Sequence, residues 1–230
     1  MKPRHALPPR IGALIYDFDD TIVESEHFND SLFAEVLLRD HGVTLDAADT
    51  DALFGRSWKG IHLWLSRRYG LQCDRDELWA AYMRLKRERL RGSGLRVATG
   101  FDRMLDLPSR HVIVSGSTAD ELEAMFDAIS LDPARFEFVL SDDDYLHGKP
   151  DPEGYLKALA RLALPAAEVL VFEDSPAGIE AARRAGLTVA FVAELASRPS
   201  AAEKADMSFA TFLDAWGAVK DRIGPPPPAS

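Results

Sequence analysis

The sequence predicts an α/β fold: a parallel β-sheet covered by helices on both faces, with an all-helical domain inserted near the N-terminus. Short, continuously apolar segments alternate with helical segments, as in sheets whose strands are buried on both sides. One long helical stretch, from about residue 26 to residue 92, interrupts this alternation. Two of the helices that follow strands also begin with an N-cap residue and a proline. Together these features favour a two-part α/β protein.

Five segments have the composition of buried parallel strands. Each is a short apolar run that ends in polar or turn-forming residues. They are residues 11–18, 111–115, 136–140, 168–172 and 188–192. Their alternation with helices predicts a Rossmann-like sheet.

Helices are predicted between these strands, at residues 119–129, 152–162 and 176–185. Asp151 before Pro152, and Ser175 before Pro176, each provide an N-cap and a proline suited to the first helical position. Gly186 is expected to end the last of these helices, because glycine readily adopts the left-handed conformation found there.

The stretch between the first two strands is helical, as in SLFAEVLLRDHG and DELWAAYMRLKRERL. We therefore expect residues 1–24 and 93–218 to form the Rossmann-like core, residues 25–92 a helical cap domain, and residues 219–230 a disordered tail. The insertion follows the carboxyl end of the first strand. Ligands bind at that edge in open parallel sheets.

Composition narrows the class of protein. The 230 residues include 27 basic and 37 acidic side chains, giving a formal charge of −10. Such a balance argues against nucleic-acid binding. With Cys73 as the single cysteine, the sequence can form neither an intrachain disulfide nor a cysteine metal cage. No signal peptide or membrane-spanning segment is visible, so we expect a cytoplasmic monomer with no membrane partner.

Carboxylates follow the first strand in GALIYDFDDTIVES. Residues two apart in a strand point the same way, so Asp17 and Asp19 are expected on one side. Two like charges this close raise each other's pKa unless a cation lies between them. Capping of the next helix would explain one of these aspartates, but not both.

A second acidic pair, Glu173 and Asp174, ends the strand in VFEDSPAGIEAARRAG. Parallel strands bring their carboxyl ends to one edge of the sheet, so these acids should approach those after the first strand. Hard oxygen ligands favour Mg²⁺, which proteins hold through a few carboxylates, water and phosphate.

Two further segments offer groups that bind an anion at the same edge. Ser115, Gly116 and Ser117 end the strand in VIVSGSTAD and lead into a helix N-terminus, where hydroxyls and backbone N–H groups are available. Lys149 lies in the turn HGKPDPEGY and can neutralise a phosphoryl group as a point charge.

In this order the motifs resemble those of the haloacid dehalogenase superfamily, from Asp17 in DFDDT through Ser115 and Lys149 to Glu173 and Asp174. Asp20 replaces the glycine of the superfamily's first motif. Aspartate visits the left-handed region more easily than most residues, so this position can be tolerated. The helical insertion is similar to the C1-type cap of subfamily IA, which includes phosphatases and β-phosphoglucomutases.

The resemblance implies a phosphatase that hydrolyses a small phosphate monoester, such as a sugar phosphate, through an aspartyl-phosphate. Asp17 would be the nucleophile. Asp19 would protonate the leaving alkoxide and then take a proton from water. Ser115 and Lys149 would hold the phosphoryl oxygens, and the same loops would supply further substrate contacts from Thr21, Gly116 and Ser117.

The resemblance also implies a Mg²⁺ site. The ion would be held by the Asp17 carboxylate, the backbone carbonyl of Asp19 and the carboxylate of Asp174. Glu173 belongs to the same metal set and would support these ligands from outside.

Substrate contacts in the cap are predicted from charge and position. Residues 56–96 carry eleven basic and four acidic side chains, a local excess that can attract an anion. Arg56 and Lys86 are the candidates from this region. Asn29, near the start of the first cap helix, is the third.

Two alternatives remain open. A mutase similar to β-phosphoglucomutase would bind a second phosphate, but it has a histidine where Asn29 aligns and an arginine where Trp58 aligns. A signalling receiver domain also combines acids, a hydroxyl residue and a lysine at strand ends. Its lysine comes last in the chain, however, and it has no helical insertion.

Overall fold

The computed structural model of this chain describes residues 6–53, 58–92 and 94–224. The chain divides into two compact units. The core unit comprises Met1–Glu24, Arg96–Ala119 and Asp132–Ser230, and the helical unit comprises Ser25–Leu95 and Asp120–Leu131.

The core unit is built on a six-stranded parallel sheet with the order β3-β2-β1-β4-β5-β6. The strands are β1 (Ala13–Tyr16), β2 (Arg110–Val114), β3 (Phe138–Leu140), β4 (Val169–Glu173), β5 (Thr188–Val192) and β6 (Met207–Phe209). The first five confirm the predicted strands, with small shifts at their ends. The sequence analysis missed β6, a three-residue edge strand whose central side chain is exposed. The predicted α/β class is confirmed.

In the described part of the chain, one group of helices lies in the connection from β1 to β2, and a second group follows β2. The first group is α1 (Glu26–His41), α2 (Ala47–Leu53), α3 (Trp58–Tyr69), α4 (Arg75–Leu90) and α5 (Phe101–Leu105), and the second is α6 (Ala119–Ile129), α7 (Glu153–Leu162), α8 (Pro176–Arg184) and α9 (Phe212–Val219). The helices predicted at 119–129, 152–162 and 176–185 are α6, α7 and α8.

Helices cover the two faces of the sheet. On one face, strand residues such as Ile15 and Val171 form a buried cluster with Tyr155 of α7 and Ile179 of α8. On the other face, the Tyr16 ring contacts Phe101 of α5 with a centroid separation of 5.2 Å. Side chains alternate along each strand, so neighbouring residues enter different layers.

The register of the central strands aligns the polar groups that follow them. Tyr16 pairs with Ile113 of β2 and with Phe172 of β4. The next residue, Asp17, continues this pairing because its N–H donates to the Phe172 carbonyl at 2.9 Å. The carboxyl ends of β1, β2 and β4 therefore lie side by side.

The helical unit has its own apolar centre. Buried residues from α1, α3 and α4, including Leu37, Leu65 and Leu78, form one cluster. The indole of Trp58 lies against Trp79, with ring centroids 4.8 Å apart. This aromatic packing explains why the unit is rich in tryptophan.

Local capping agrees with the sequence signals, with one shift. The Ser175 hydroxyl accepts from Gly178 N–H at 3.0 Å, and Pro176 is the first residue of α8. Asp151 accepts from Glu153 N–H at 3.0 Å, so α7 begins one residue later than expected. Gly186 has a φ of 78°, consistent with its predicted role after the helix.

The chain end differs from expectation in part. Residues 219–224, expected to belong to a disordered tail, complete α9, form a 3₁₀ turn at Lys220–Arg222, and pair Ile223 with Ile11. Residues 225–230 lie outside the described residues. None of the described helices is long and apolar enough to cross a membrane.

Candidate active site

Asp17 and Asp19 stand where β1 ends. Asp17 is buried, and Asp19 is half-buried, with its carboxylate accepting from the Ser117 hydroxyl at 2.6 Å. Between this pair and the rest of the loop, Asp20 has a φ of 51°. The position is therefore left-handed, a conformation that aspartate adopts more easily than most residues, and this accounts for the tolerance of Asp20 here.

Lys149 joins two of the acidic strand ends. Its ammonium donates to Asp17 Oδ1 at 2.5 Å and to Glu173 Oε1 at 2.6 Å. The lysine side chain is only 14% exposed, so both contacts are largely shielded from water. Charge-assisted hydrogen bonds of this kind are short and strong.

Burial and charge alter the protonation of this group. Burial, together with the nearby Glu173 and Asp19 carboxylates, raises the pKa of Asp17 to about 8, while Lys149 opposes the rise. Burial acts to lower the pKa of Lys149, but Asp17 and Glu173 outweigh it and hold that pKa well above its usual value. Lys149 is therefore protonated at neutral pH, and a cation bound among these carboxylates would lower the pKa of Asp17 and favour the ionised form that can act as a nucleophile.

Glu173 is enclosed by donors. Its Oε1 accepts from Lys149 and from the Tyr155 hydroxyl at 2.8 Å. Its Oε2 accepts from Asp174 N–H and Ser175 N–H, both at 3.1 Å, and from the Ser175 hydroxyl at 3.0 Å. With both oxygens engaged by protein groups, Glu173 suits the supporting role that was predicted for it.

Asp174 is held differently. Its Oδ1 accepts from the Thr21 hydroxyl at 3.1 Å. Thr21 was predicted to contact substrate, and the structure places its hydroxyl on this carboxylate. Oxygens of Asp17, Glu173 and Asp174 all lie within 4.8 Å of one another.

This donor set fits a hard divalent cation. Three carboxylates, those of Asp17, Glu173 and Asp174, cluster at the sheet edge, and the Lys149 ammonium contacts the first two. An excess of buried like charge is costly unless a cation offsets it. Buried carboxylates of this type, completed by water and phosphate oxygens, are the ligands that Mg²⁺ prefers.

The loop after β2 supplies the hydroxyl groups. Ser115 is fully buried, and its Oγ accepts from Ser117 N–H at 3.0 Å. That bond uses a lone pair of Ser115 and leaves its proton available as a donor. Gly116, between the two serines, is exposed. The loop is thus anchored to Asp19 through Ser117.

The candidate contacts from the insertion belong to the helical unit, whereas the residues above belong to the core unit. Asn29 is half-buried in α1. Lys86 is fully buried in α4, where its ammonium donates to Glu121 at 2.8 Å. Arg56 lies outside the described residues. The substrate-binding roles of all three stay predictions.

Two tyrosines near the site were missed by the sequence analysis. Tyr155 contacts Glu173, and the Tyr145 hydroxyl donates to the Ser115 carbonyl at 2.5 Å. Both lie in the segment between β3 and β4 that also carries Lys149, Tyr145 before the lysine and Tyr155 after it. A polar aromatic in the first turn of the helix after the lysine was the available signal, because a buried tyrosine hydroxyl usually finds a partner.

Comparison with known proteins agrees with this geometry. The family model described as haloacid dehalogenase-like hydrolase matches residues 14–192. Validoxylamine A 7'-phosphate phosphatase of Streptomyces hygroscopicus subsp. limoneus is 30% identical, covering 75% of this chain and 81% of the relative. Fructose-1-phosphate phosphatase YqaB of Escherichia coli is 29% identical, covering 77% and 94%.

A solved structure shares the fold. CbbY from Rhodobacter sphaeroides, determined in complex with phosphate, superposes with a TM-score of 0.78 at 20% identity, covering 89% of this chain and 96% of that one. The family match spans β1 through β5 and thus all four predicted motifs. The chain belongs to the haloacid dehalogenase-like hydrolase family.

Proposed function

We propose that this protein is a Mg²⁺-dependent phosphatase that hydrolyses a small phosphate monoester, a sugar phosphate or a related polyol phosphate, through an aspartyl-phosphate. It is a hydrolase of phosphate monoesters by family. The proposal adds the metal, the covalent intermediate and the class of leaving group. The proposed enzyme acts as a cytoplasmic monomer on a diffusible metabolite.

One observation carries the proposal. The Lys149 ammonium lies 2.5 Å from an Asp17 oxygen, so a cation stands beside the carboxylate proposed to attack phosphorus. Phosphoryl transfer needs positioning and charge neutralisation more than covalent chemistry from the protein. A buried carboxylate beside a fixed cation meets both needs.

The first half-reaction transfers the phosphoryl group to the enzyme. An Asp17 carboxylate oxygen forms a bond to phosphorus while the bond from phosphorus to the leaving oxygen breaks, and that oxygen keeps the electron pair. Asp19 supplies a proton to the departing alkoxide. Its contact with Ser117 holds the carboxyl group in place for this transfer.

The second half-reaction releases phosphate. Water attacks the phosphorus of the aspartyl-phosphate, and the ionised Asp19 takes a proton from that water. The Asp17–phosphoryl bond breaks and the carboxylate is restored. Lys149 and the Ser115 hydroxyl hold the phosphoryl oxygens throughout.

The metal's contribution is electrostatic: when bound, Mg²⁺ neutralises charge on the phosphoryl oxygens and on the carboxylates around them. Asp17 and Asp174 would hold it, with the Asp19 carbonyl as a further ligand. Thr21 fixes the Asp174 carboxylate in position for this task.

The class of leaving group is inferred from relatives. Those at about 30% identity include phosphatases named for validoxylamine A 7'-phosphate and for fructose 1-phosphate, the second of which is a sugar phosphate. We propose that residues 25–92 act as the cap that recognises the polyol, with Asn29 and Arg56 as candidate contacts.

The test is phosphate release from a panel of sugar, cyclitol and glycerol phosphates, with Mg²⁺ and with EDTA, beside an Asp17→Asn variant. We expect release only from the wild type with Mg²⁺, and trapping of ³²P on the wild-type protein after an acid quench. Metal-independent release, or full activity in the variant, would refute the mechanism. Interconversion of β-glucose 1-phosphate and glucose 6-phosphate without net release would indicate a mutase instead.

A further inference from the structure

Tyr155 touches both members of the ion pair at the centre of the site. It lies in the first turns of α7 and is 1% exposed. Its hydroxyl donates to Glu173 Oε1 at 2.8 Å, and the Lys149 ammonium lies 5.4 Å from the centre of its ring. The hydroxyl therefore binds the carboxylate while the ring face meets the cation, as in a cation–π contact.

The carboxylate that Tyr155 binds cannot shift easily. Its Oε2 is held by two backbone N–H groups and the Ser175 hydroxyl. On another side lies the backbone of Gly178, so close that a Cβ added there would stand 1.7 Å from Glu173 Oε1. The position of Oε1 is thus fixed by neighbouring backbone.

Glu173 Oε1 is shared between a neutral donor, the Tyr155 hydroxyl, and a charged one, the Lys149 ammonium. A hydrogen bond from Tyr155 withdraws charge from this oxygen and so weakens its attraction for Lys149. Asp17 competes for the same ammonium from the other side, at 2.5 Å against 2.6 Å. Lys149 therefore contacts two carboxylates, and the Tyr155 hydroxyl acts on one of them.

We propose that Tyr155 is a positioning residue for phosphoryl transfer, which holds the Lys149 ammonium between Glu173 and Asp17 by sharing Glu173 Oε1 with it. Without the hydroxyl, Glu173 attracts Lys149 more strongly, and the ammonium moves away from Asp17 and the phosphoryl oxygens. The inference rests on the proposed function for its effect on rate, but its effect on geometry is independent of any substrate.

The first test is structural and needs no substrate. Crystal structures of the wild type and of Tyr155→Phe would be compared at the Lys149 ammonium. We expect the contact from Lys149 to Glu173 to persist and the contact to Asp17 Oδ1 to lengthen beyond hydrogen-bonding range. An unchanged Lys149 position would overturn the proposal, whether or not the protein proves to be a phosphatase.

The second test is kinetic. Misplacement of a catalytic group by about 1 Å can cost about 100-fold. We expect Tyr155→Phe to lower kcat at least ~10-fold and to weaken inhibition by orthovanadate, a mimic of the transferring phosphoryl group, by a similar factor. The affinity for inorganic phosphate should also fall, because Lys149 contacts the phosphoryl oxygens in every bound state, but by a smaller factor than inhibition by orthovanadate.

Tyr16→Phe is the matched control. It also removes one buried tyrosine hydroxyl, but that hydroxyl contacts His111 on the opposite face of the sheet. If both variants lose similar stability and neither changes kcat or vanadate inhibition, Tyr155 has only a structural role and the proposal fails.

A double-mutant cycle tests the route through Glu173. If Tyr155 acts through this carboxylate, adding Tyr155→Phe to Glu173→Gln should lower kcat no further. Multiplying effects would overturn the proposal. Should Tyr155→Phe not fold, Gly178→Ala displaces Glu173 from its other side and is expected to lower kcat with the same weakening of vanadate inhibition. Full activity in that variant would count equally against the proposal.

Discussion

Two buried lysines, one in each unit, show how a single additional carboxylate changes the character of an ion pair. Lys149 donates to Glu173 at 2.6 Å, and Lys86 donates to Glu121 at 2.8 Å. Each ammonium also lies over a tyrosine ring, at 5.4 Å and 5.5 Å, and that tyrosine's hydroxyl donates to the same carboxylate oxygen as the lysine. The local arrangement is therefore nearly the same.

The difference is in charge. In the part of the chain that the structure describes, Lys86 forms its ion pair with Glu121, and the lysine side chain is fully buried. Lys149 bridges Glu173 to Asp17, and Asp174 lies close to both acids. Among the described residues, the first cluster pairs one ammonium with one carboxylate, whereas the second keeps a negative excess that favours a cation and a reacting phosphoryl group. The first should serve stability and the second chemistry.

The largest expected effect is on activity, and it comes from a change in the Lys149 cluster. Asp17→Asn should lower kcat by at least ~10³-fold, as loss of a nucleophile does in other covalent enzymes. It should not lower the melting temperature, because the substitution removes one of several neighbouring like charges. Phosphate release and thermal melts monitored by circular dichroism would measure both. A melting temperature lower by more than ~5 °C would show that the Asp17–Lys149 contact is also structural.

The second prediction concerns stability in the helical unit. Lys86→Met should destabilise the protein by about 3–5 kcal/mol, because the largely buried Glu121 carboxylate loses the ammonium that pairs with it. Adding Glu121→Leu should recover most of the loss, since an apolar pair can replace a buried ion pair. Denaturant unfolding would give these free energies.

A matched control is Lys157→Met. Lys157 pairs with Glu153 at 2.8 Å, but its side chain is 46% exposed, so the loss should stay below about 1 kcal/mol. Equal losses at Lys86 and Lys157 would contradict the comparison. A raised KM in the Lys86→Met/Glu121→Leu variant would instead support the substrate-binding role predicted for Lys86.

Lys86 and Lys149 also show what a sequence can predict. Lys149 sits in a turn at the edge where parallel strands deliver their polar ends, so its place followed from the order of strands. Lys86 lies inside the long helix α4. The sequence cannot tell whether its side chain faces solvent, substrate or another residue, because that depends on which helix packs against α4. That contact, Glu121 of α6, is 35 residues away and leaves no local pattern.

The same reasoning explains the remaining successes and omissions. The strands β1 to β5 are apolar runs with clear ends, so the sheet and the convergence of Asp17 and Glu173 were predictable. The edge strand β6 is short and partly exposed, and periodicity does not detect such a segment. The hydrogen bond from Tyr155 to Glu173 joins α7 to β4, and only the packing of those elements creates it.

A third buried pair, Tyr16 and His111, contains no charged group, and its contribution to stability can be tested by changing the pH. The Tyr16 hydroxyl lies 3.1 Å from His111 Nδ1, and His111 Nε2 lies 3.0 Å from the Leu107 carbonyl. A neutral ring whose Nε2 carries the proton donates to that carbonyl and accepts from Tyr16. Burial lowers the pKa of His111 despite that backbone hydrogen bond; Arg135 adds to the lowering, and Asp106 opposes it.

The sign follows from proton binding. Below about pH 6.5 the unfolded histidine gains a proton that the folded one resists, so the unfolded state binds more protons and stability falls as pH falls. Below the pKa of His111 in the folded protein both states bind the proton, and the free energy of unfolding falls no further on account of this group. In His111→Asn an amide oxygen can accept from Tyr16 without titrating. We expect its unfolding free energy to decline less steeply from pH 6.5 to pH 5; equal slopes would contradict the prediction.

The smallest expected effect is on stability, and it comes from Ser175, which donates to Glu173 Oε2 rather than to the oxygen that holds Lys149. Ser175→Ala removes the cap of α8 and one donor to Glu173 Oε2, and caps of this kind contribute about 1 kcal/mol. For a chain of this size that corresponds to a fall of about 2–4 °C in melting temperature. Thr211→Ala, which removes the N-cap of α9, is the control for a cap without a contact to Glu173.

The kinetic result of Ser175→Ala would sharpen the comparison between the two lysines. Oε2 keeps its two backbone donors in this variant, and Lys149 is held by Oε1. We therefore expect kcat to fall no more than ~3-fold, far less than in Tyr155→Phe. A larger fall, with Thr211→Ala unaffected, would mean that the whole carboxylate fixes Lys149. The position of Lys149 would then depend on every donor to Glu173. The tyrosine contact that the two lysine clusters have in common would not by itself set the ammonium in place.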